Sequence, residues 1–524
     1  MRIEIYDTTL RDGAQQEGLS LTLDDKLRVV EQLDRLGVDV IEGGWPGSNP
    51  KDEAFFRRVA RIPLQHARIA AFGSTCRSGC APEDDLQVQA LLAAETEILT
   101  IVGKASAFHV EEILGTTRDE NLRMIGDTVR YLRASGRRVI FDAEHFFDGY
   151  REDPRYALQC LDAAASAGAD TVVLCDTNGG AMPWEVEAAV RGARDEVGVA
   201  LGIHGHNDAG MAVANSVAAV RAGAIQVQGT INGYGERCGN ANLTAAIPTL
   251  VLKMGASCRV ADRLAEMTRI AETLGELADK PLDPQSPYVG ASAFAHKGGL
   301  HVDAVAKHPD SYQHVDPEVV GNRGRIVVSE LSGGANVVGK ASEFGFDLHP
   351  KASRTRSILD RIKRLEYRGF QFEGADASVE LIVRRSEPDY VPPFELAGFY
   401  VLIREKDAES MVSEATTKVR IGTETVHTAS EGNGPVHALD LAVRKALVPA
   451  YPEIADVELS DYRVRILDGD AGTAARTRVL ITSTDGARQW STVGCGTNVI
   501  EASWIALADA LEYALIGKKA RQIA

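Results

Sequence analysis

The chain has 524 residues, 44% of them hydrophobic and 25% charged, and 57 Lys and Arg against 74 Asp and Glu give a formal net charge of -17. This length can fill several hydrophobic cores, and the composition is typical of a globular protein and excludes a disordered one. The acidic balance disfavours nucleic acid and anionic membranes as partners, and no run of about 18 apolar residues could span a bilayer.

The first residues lack the apolar run of a signal peptide, and the chain contains an odd number of cysteines, seven. We therefore expect a cytoplasmic protein with reduced thiols and no disulfide framework. Cys76 and Cys80 are close in sequence, but a single pair of this kind does not favour a zinc site.

The first half of the chain alternates short apolar segments with longer segments of helical periodicity. Eight strands are predicted, at residues 3–10, 38–45, 67–73, 97–103, 138–145, 171–177, 200–207 and 225–231. Eight strands alternating with helices over about 250 residues predict an α/β fold, the (β/α)₈ or TIM barrel. A doubly wound open sheet is the alternative, but no predicted strand is followed at once by a glycine-rich dinucleotide loop.

Helical patterns replace this alternation beyond about residue 255 and end at a Pro-rich segment, 387–395, which predicts a linker. A repeat follows, in which the segment from Gly432 aligns with the segment from Gly496. Each copy has β-prone residues before a Gly turn and a helix after it, which predicts two strand-strand-strand-helix units. Such a pair of units either holds a dimer together or senses a small molecule.

These patterns predict three domains. They are a catalytic barrel over residues 1–260, helical linker subdomains that cover the active site over 261–392, and a C-terminal α+β regulatory domain over 393–524. Because barrel enzymes bind substrates where strands end and loops begin, polar residues at the predicted strand ends are the candidate site residues.

His204 and His206 are two residues apart in predicted strand seven, so both side chains leave one face and can bind one ion. Asp12, after strand one, adds a carboxylate, and Asn240, after strand eight, is near enough to be a fourth, oxygen ligand. Such a set can hold the ferrous ion of an oxygenase, the zinc of a hydrolase, or a Mg²⁺, Mn²⁺ or Zn²⁺ ion that chelates a 2-oxo acid. The last use suits both the fold and the ligand positions.

Three segments, DTTLRDGAQ (7–15), HGHND (204–208) and GYGERCGNAN (233–242), carry a family resemblance. They resemble the defining motifs of the metal-dependent barrels that include isopropylmalate, homocitrate and citramalate synthases and hydroxymethylglutaryl-CoA lyase. Residues 296–304 and 311–322 are similar to the segment that follows the barrel in isopropylmalate and citramalate synthases. The repeated C-terminal units resemble the effector-binding domain of the same enzymes, so the resemblance favours the synthase branch.

Within that branch, residues 41–56, 102–110 and 142–150 resemble a long-chain group of citramalate synthases. The resemblance implies a Claisen-type condensation of acetyl-CoA with pyruvate to (R)-citramalate and CoA, in isoleucine biosynthesis. The alternatives are an isopropylmalate synthase acting on 2-oxoisovalerate in leucine biosynthesis, a related acyl-CoA lyase, and a catalytically silent metabolite sensor. His145, directly after Glu144, departs from the isopropylmalate synthase pattern and leaves the residues of the keto-acid pocket open.

The resemblance also implies residue roles. Arg11 would neutralise charge on a substrate oxygen, Glu144 would transfer a proton or activate a base, and Thr177 would bind the substrate carboxylate. The alternatives are a salt bridge between Arg11 and Glu144 at the barrel mouth, and a turn function for Thr177. His301 and Tyr312 match positions from which these synthases bring a His and a Tyr over the acetyl-CoA site of the neighbouring subunit.

A homodimer and inhibition by isoleucine follow from the same resemblance. Glu236 is expected to orient a catalytic partner or its own loop, and His296 and His314 are expected to be solvated or structural.

Overall fold

A computed structural model describes residues 2–407 and 410–523 and divides the chain into two compact units. The first unit runs to Phe294 and includes Val315–Arg323, and the second comprises Ala295–His314 and the residues from Gly324 onward. No helix in the described ranges is both long enough and apolar enough to cross a membrane.

The first unit contains a closed barrel of eight parallel strands, each paired with its neighbours in chain order, with β8 paired to β1. The strands are β1 (Glu4–Asp7), β2 (Val40–Glu42), β3 (Arg68–Ser74), β4 (Ile98–Lys104), β5 (Arg138–Glu144), β6 (Thr171–Asp176), β7 (Ala200–Gly205) and β8 (Gln226–Gly229). The predicted (β/α)₈ barrel is therefore confirmed, and the open sheet is excluded.

Helices surround the barrel and bury their apolar faces against it. They are α1 (Leu23–Leu36), α2 (Pro50–Val59), α3 (Leu86–Ala93), α4 (Arg118–Ala134), α5 (Phe146–Glu152), α6 (Pro154–Ser166), α7 (Pro183–Glu196), α8 (Ala212–Ala222), α9 (Leu243–Pro248) and α10 (Met267–Leu277). In α1, Thr22 and Asp25 form a capping box at the first turn, and Gly37 ends the helix with a φ of 89°. The sequence thus sets both ends of this helix locally.

The first strand is shorter than predicted because the chain turns away after Asp7. The Asp7 carboxylate accepts a hydrogen bond from the Thr9 amide at 2.9 Å, and the amides of Arg11 and Gly13 bond back to the Thr8 carbonyl. This turn carries Arg11 and Asp12 over the carboxyl-terminal end of the barrel, where the candidate site lies.

The second unit begins with short elements and helices and ends in two antiparallel sheets. The first group is β9 (Ala295–His296), α11 (Gly299–Lys307), β10 (Arg325–Ile326), α12 (Gly334–Glu343), α13 (Ser353–Tyr367) and α14 (Asp376–Arg384). The sheets are β11 (Glu395–Asp407), β12 (Ser410–Ile421) and β13 (Glu424–Gly432), followed by α15 (Pro435–Leu447), and β14 (Glu458–Ile466), β15 (Thr477–Thr484) and β16 (Gln489–Gly496), followed by α16 (Val499–Ile523).

The predicted pair of strand-strand-strand-helix units is confirmed, and the two aligned glycines, Gly432 and Gly496, are each the last residue of a third strand. At Gly432 a Cβ atom would lie 2.4 Å from the Ala438 nitrogen, so the turn into α15 excludes a larger residue. Apolar residues of α15 and α16 pack on the sheets, among them Leu439 and Leu511.

Candidate active site

The carboxyl-terminal ends of the barrel strands surround a cavity of about 700 Å³. Six of the residues for which the sequence predicted a catalytic, substrate-binding or metal-binding role line it, namely Arg11, Asp12, Glu144, Thr177, His204 and His206. The location agrees with the rule that barrel enzymes build their sites at this end.

Asp12, His204 and His206 converge in the cavity. The Oδ2 atom of Asp12 lies 3.2 Å from Nε2 of His204 and 3.8 Å from Nε2 of His206, and the two nitrogens are 3.4 Å apart. Among the residues that the structure describes, a search for three or more His, Cys, Asp or Glu side chains with ligand atoms within 4.8 Å of one another finds this group. All three are buried, and one divalent ion fits such a set.

Two buried polar atoms beside these ligands have no hydrogen-bond partner, Oδ1 of Asn240 and Nδ1 of His206. The Asn240 amide nitrogen donates to the Tyr234 carbonyl at 3.1 Å, which leaves Oδ1 as its free end, and the Asn240 backbone bridges to that of His206. A buried acceptor without a partner costs about 1–3 kcal/mol, so a cation that meets Oδ1 would remove a penalty.

The pKa values of Asp12 and His206 suit metal binding, whereas burial alone would lower the pKa of His204 but its hydrogen bond with Asp12 outweighs burial and raises it. Burial alone would raise the pKa of Asp12, but the Arg11 guanidinium and the hydrogen bond with His204 outweigh it and hold this pKa well below its usual range. Burial, assisted by His204, lowers the pKa of His206 to about 4. Asp12 is therefore ionised and His206 neutral near pH 7, the forms in which both side chains bind metals.

Arg11 is held by an acid that the sequence interpretation missed. Its Nε donates to Oε2 of Glu42 at 2.6 Å, and its guanidinium lies 3.8 Å from the centre of the Phe72 ring. Glu42 is fully buried and also accepts a hydrogen bond from the Tyr6 hydroxyl at 2.8 Å. Burial alone would lower the pKa of Arg11, but Glu42 and Asp12 more than offset this and raise it, so the guanidinium stays charged.

The alternative salt bridge between Arg11 and Glu144 is wrong, because each has another partner. Arg11 pairs with Glu42, whereas Glu144 forms an ion pair with Lys104, its paired neighbour on β4. Lys104 also lines the cavity. Glu144 is therefore free of Arg11 and lies beside a cation of its own.

Thr177 contacts His145, which occupies a left-handed conformation with a φ of 60° directly after β5. The His145 amide donates to Oγ1 of Thr177 at 2.8 Å, and the His145 ring stacks on His109 with centroids 3.6 Å apart. Since the Thr177 oxygen accepts this bond, its hydroxyl proton can still be donated to a substrate.

Asp142, near the end of β5, is a further lining residue, and the sequence interpretation gave it no role. Burial, with a smaller contribution from Glu42, raises its pKa to about 7. Its position two residues before Glu144 puts it on the same face of the strand, which was the available signal.

The other predicted residues are spread over both units. Glu236 lines the cavity with a half-exposed side chain, 3.9 Å from Arg237. His301 lies in α11 of the second unit, where its ring stacks on Tyr312 with centroids 4.1 Å apart. Nε2 of His296 is buried without a hydrogen-bond partner. The predicted role of His301 and Tyr312 over an acetyl-CoA site stays a prediction.

Three family models match successive parts of the chain. Residues 2–273 match the HMGL-like family, 288–369 match the homocitrate synthase post-HMGL domain-like family, and 373–515 match the LeuA allosteric (dimerisation) domain. The first match alone covers the barrel with the candidate site, and together the three extend over nearly the whole chain.

The chain is also similar to known proteins over nearly its full length. The chain is 50% identical to an (R)-citramalate synthase of Aquifex aeolicus, over 98% of both chains, and 49% identical to one of Geobacter sulfurreducens, over 98% of this chain and 97% of the relative. A probable 2-isopropylmalate synthase of Methanopyrus kandleri is 33% identical over 93% of both chains.

Proposed function

The chain belongs to the family of isopropylmalate, homocitrate and citramalate synthases, and we propose that it condenses acetyl-CoA with pyruvate to form (R)-citramalate and CoA. The observation that carries the proposal is the identity of 44–50% over nearly the full length with five (R)-citramalate synthases, against 33% with the probable 2-isopropylmalate synthase. The product would serve isoleucine biosynthesis.

Asp12, His204 and His206 are the proposed metal ligands, with Oδ1 of Asn240 as a fourth. The three converging ligand atoms and the unpartnered Asn240 oxygen support this set. A bound Mg²⁺, Mn²⁺ or Zn²⁺ ion would supply Lewis-acid polarisation of the 2-oxo acid.

Arg11 neutralises the negative charge that develops on the substrate oxygens during condensation. Its guanidinium is fixed before substrate arrives, by the Glu42 carboxylate on one side and the Phe72 ring on another. A preorganised cation of this kind needs no rearrangement in the transition state, which is the main source of electrostatic catalysis.

Glu144 accepts the methyl proton of acetyl-CoA, directly or by activating a second base, and Lys104 holds its carboxylate at the cavity wall. Thr177 donates its hydroxyl proton to the carboxylate of the 2-oxo acid while its oxygen remains bonded to the His145 amide. Both roles use side chains that line one cavity.

We propose that the protein acts as a homodimer. The match of residues 373–515 to an allosteric and dimerisation domain supports dimer formation and regulation by an amino acid, for which isoleucine is our candidate. His301 and Tyr312 of one chain then cover the acetyl-CoA bound by the other. The functional division remains a catalytic domain over 1–260, linker subdomains over 261–392 and a regulatory domain over 393–524.

The proposal is tested by the release of free CoA thiol from acetyl-CoA with pyruvate, 2-oxobutanoate, 2-oxoisovalerate and 2-oxoglutarate compared side by side. We expect the highest kcat/KM with pyruvate. A pocket that rejects one extra methylene by contact alone discriminates by about 1–3 kcal/mol, so residual turnover of 2-oxobutanoate is expected. A higher kcat/KM with 2-oxoisovalerate would contradict the proposal and indicate isopropylmalate synthesis.

A further inference from the structure

A row of amide and carboxyl side chains runs between the amino-terminal end of the barrel and the candidate metal ligands. Glu4 of β1 pairs with Gln226 of β8, and Gln228 of β8 pairs with His204 of β7. Gln226 and Gln228 are two residues apart, so their side chains leave the same face of the strand. Both are fully buried and need hydrogen-bond partners inside the barrel.

These side chains form one continuous chain of hydrogen bonds. Arg138 donates two bonds to the Glu4 carboxylate, at 2.6 and 2.7 Å. Gln226 Nε2 donates to Glu4 Oε2 at 2.6 Å, and Gln228 Nε2 donates to Gln226 Oε1 at 3.3 Å. At the last step, Nδ1 of His204 lies 2.9 Å from Oε1 of Gln228.

Arg138 and Glu4 fix the donor-to-acceptor direction of these hydrogen bonds, because a guanidinium only donates hydrogen bonds and a carboxylate only accepts them. Burial alone would raise the pKa of Glu4, but the hydrogen bonds and charge of Arg138 lower it below its ordinary value, so Glu4 is ionised. Glu4 therefore takes the NH₂ group of Gln226, and the Gln226 oxygen must face Gln228.

The orientation of Gln226 in turn fixes the orientation of Gln228. Gln228 turns its NH₂ group toward Gln226 and presents its oxygen to Nδ1 of His204. Asp142 accepts the second N–H of Gln228 at 3.1 Å and favours the same orientation. All the polar atoms of the Gln228 amide are thus used, and its oxygen can bond His204 only if Nδ1 carries a proton.

We propose that Glu4, Gln226 and Gln228 keep a proton on Nδ1 of His204 and so reserve its Nε2 for the metal ion. The inference rests on the metal centre proposed above. Metal-binding histidines commonly donate their other ring N–H to an acceptor, and losing that acceptor typically weakens metal binding about 10- to 100-fold. The three residues are positioning residues that act through His204 from the opposite end of the barrel.

The variant Glu4→Lys reverses the direction of these hydrogen bonds, because an ammonium group only donates. Gln226 must then turn its oxygen to the new ammonium group and its NH₂ group to Gln228. Gln228 then presents its NH₂ group to Nδ1 of His204. We expect Co²⁺, titrated into the metal-free full-length protein and followed by its visible absorption, to bind about tenfold more weakly.

The double variant Glu4→Lys/Gln226→Glu restores the direction, because the carboxylate introduced at position 226 accepts from the new ammonium group and from Gln228. Its Co²⁺ affinity should return to that of the unchanged protein. The matched control is Glu97→Gln, which alters a carboxylate paired with Arg68 at 2.7 Å, where both side chains are more than half exposed. This control should leave Co²⁺ binding unchanged.

Nitrogen NMR of histidine-labelled, metal-free protein gives a second readout, with the His204 signal identified by its loss in His204→Ala. Nδ1 should be protonated in the unchanged protein, the control and the double variant, and lose its proton in Glu4→Lys. A merely structural role of Glu4 would lower the melting temperature and leave this signal unchanged.

If Glu4→Lys binds Co²⁺ as tightly as the unchanged protein and retains the proton on Nδ1, the inference is wrong. If this variant does not fold, Gln228→Met removes the last acceptor with Glu4 intact, and undiminished Co²⁺ binding by that variant overturns the inference equally. If the unchanged protein binds no Co²⁺, the proposed metal centre is wrong. The Nδ1 signal still shows whether Glu4, Gln226 and Gln228 keep a proton on Nδ1 of His204.

Discussion

Replacing Glu42 with Gln removes the charge opposite Arg11 and keeps the shape of the side chain. The two side chains are 0% and 13% exposed, with Nε of Arg11 2.6 Å from Oε2 of Glu42. Removing one partner of a buried ion pair costs about 3–5 kcal/mol, whereas an exposed pair contributes about 0–1 kcal/mol. Because Asp12 also lies 3.3 Å from the guanidinium, we expect the lower end, a loss of about 3 kcal/mol in the free energy of unfolding.

The assay is urea-induced unfolding of metal-free protein, followed by circular dichroism, with Glu97→Gln as the exposed counterpart at 2.7 Å from Arg68. The control should lose no more than about 1 kcal/mol. We also expect Glu42→Gln to lower kcat/KM with pyruvate about 100-fold, because a catalytic group displaced by about 1 Å can cost that much. Equal unfolding free energies for the two variants, or unchanged kcat/KM in Glu42→Gln, would refute the reasoning.

Three further outcomes are expected. Replacing His204 or His206 with Ala should remove bound metal and activity together without unfolding the barrel, and full activity of the double variant after metal-free dialysis would contradict the metal assignment. Mixing inactive Glu144→Ala with inactive His301→Ala under subunit exchange should restore part of the activity, and a mixture that stays inactive despite proven exchange would place both residues in one site of one chain. Deleting residues 396–524 should abolish inhibition by isoleucine, an effect of about 5- to 150-fold for typical coupling, while metal still binds. If isoleucine, leucine and valine neither slow the intact enzyme nor raise its melting temperature, the C-terminal units serve dimer formation alone.

The barrel and the proximity of His204 and His206 were predictable because both depend on short-range periodicity. Apolar runs of strand length recur with helical segments between them, and two histidines two residues apart in a strand must share a face. Asp12 followed from barrel closure, which brings strand one beside strand eight and close to strand seven. These inferences need only the order of the strands.

The partner of Arg11 could not be predicted, because it depends on which side chains meet across the barrel. Glu42 ends β2 and looks like an ordinary strand residue before a Gly-Gly turn, yet it is fully buried and faces Arg11. Pairing of Glu144 with Arg11 was the alternative to its catalytic role, but the register of β4 and β5 places Lys104 directly beside Glu144. The spacing of residues within one strand does not predict how that strand is aligned with its neighbour.

The hydrogen bonds of Glu4, Gln226 and Gln228 were missed for a related reason. These polar residues lie in segments that the alternation assigned to strands, and Glu4 lies far in sequence from Gln226, as Gln228 does from Asp142. Alternate positions of a barrel strand face the interior or the surrounding helices, and the period of two does not tell which set faces the interior.

The most direct test of the proposed function is the identity of the product formed from acetyl-CoA and pyruvate by the metal-loaded protein. Chiral chromatography with mass detection should find (R)-citramalate, in amounts equal to the CoA released. Release of CoA without citramalate, or formation of the S enantiomer, would contradict the proposed condensation at this site.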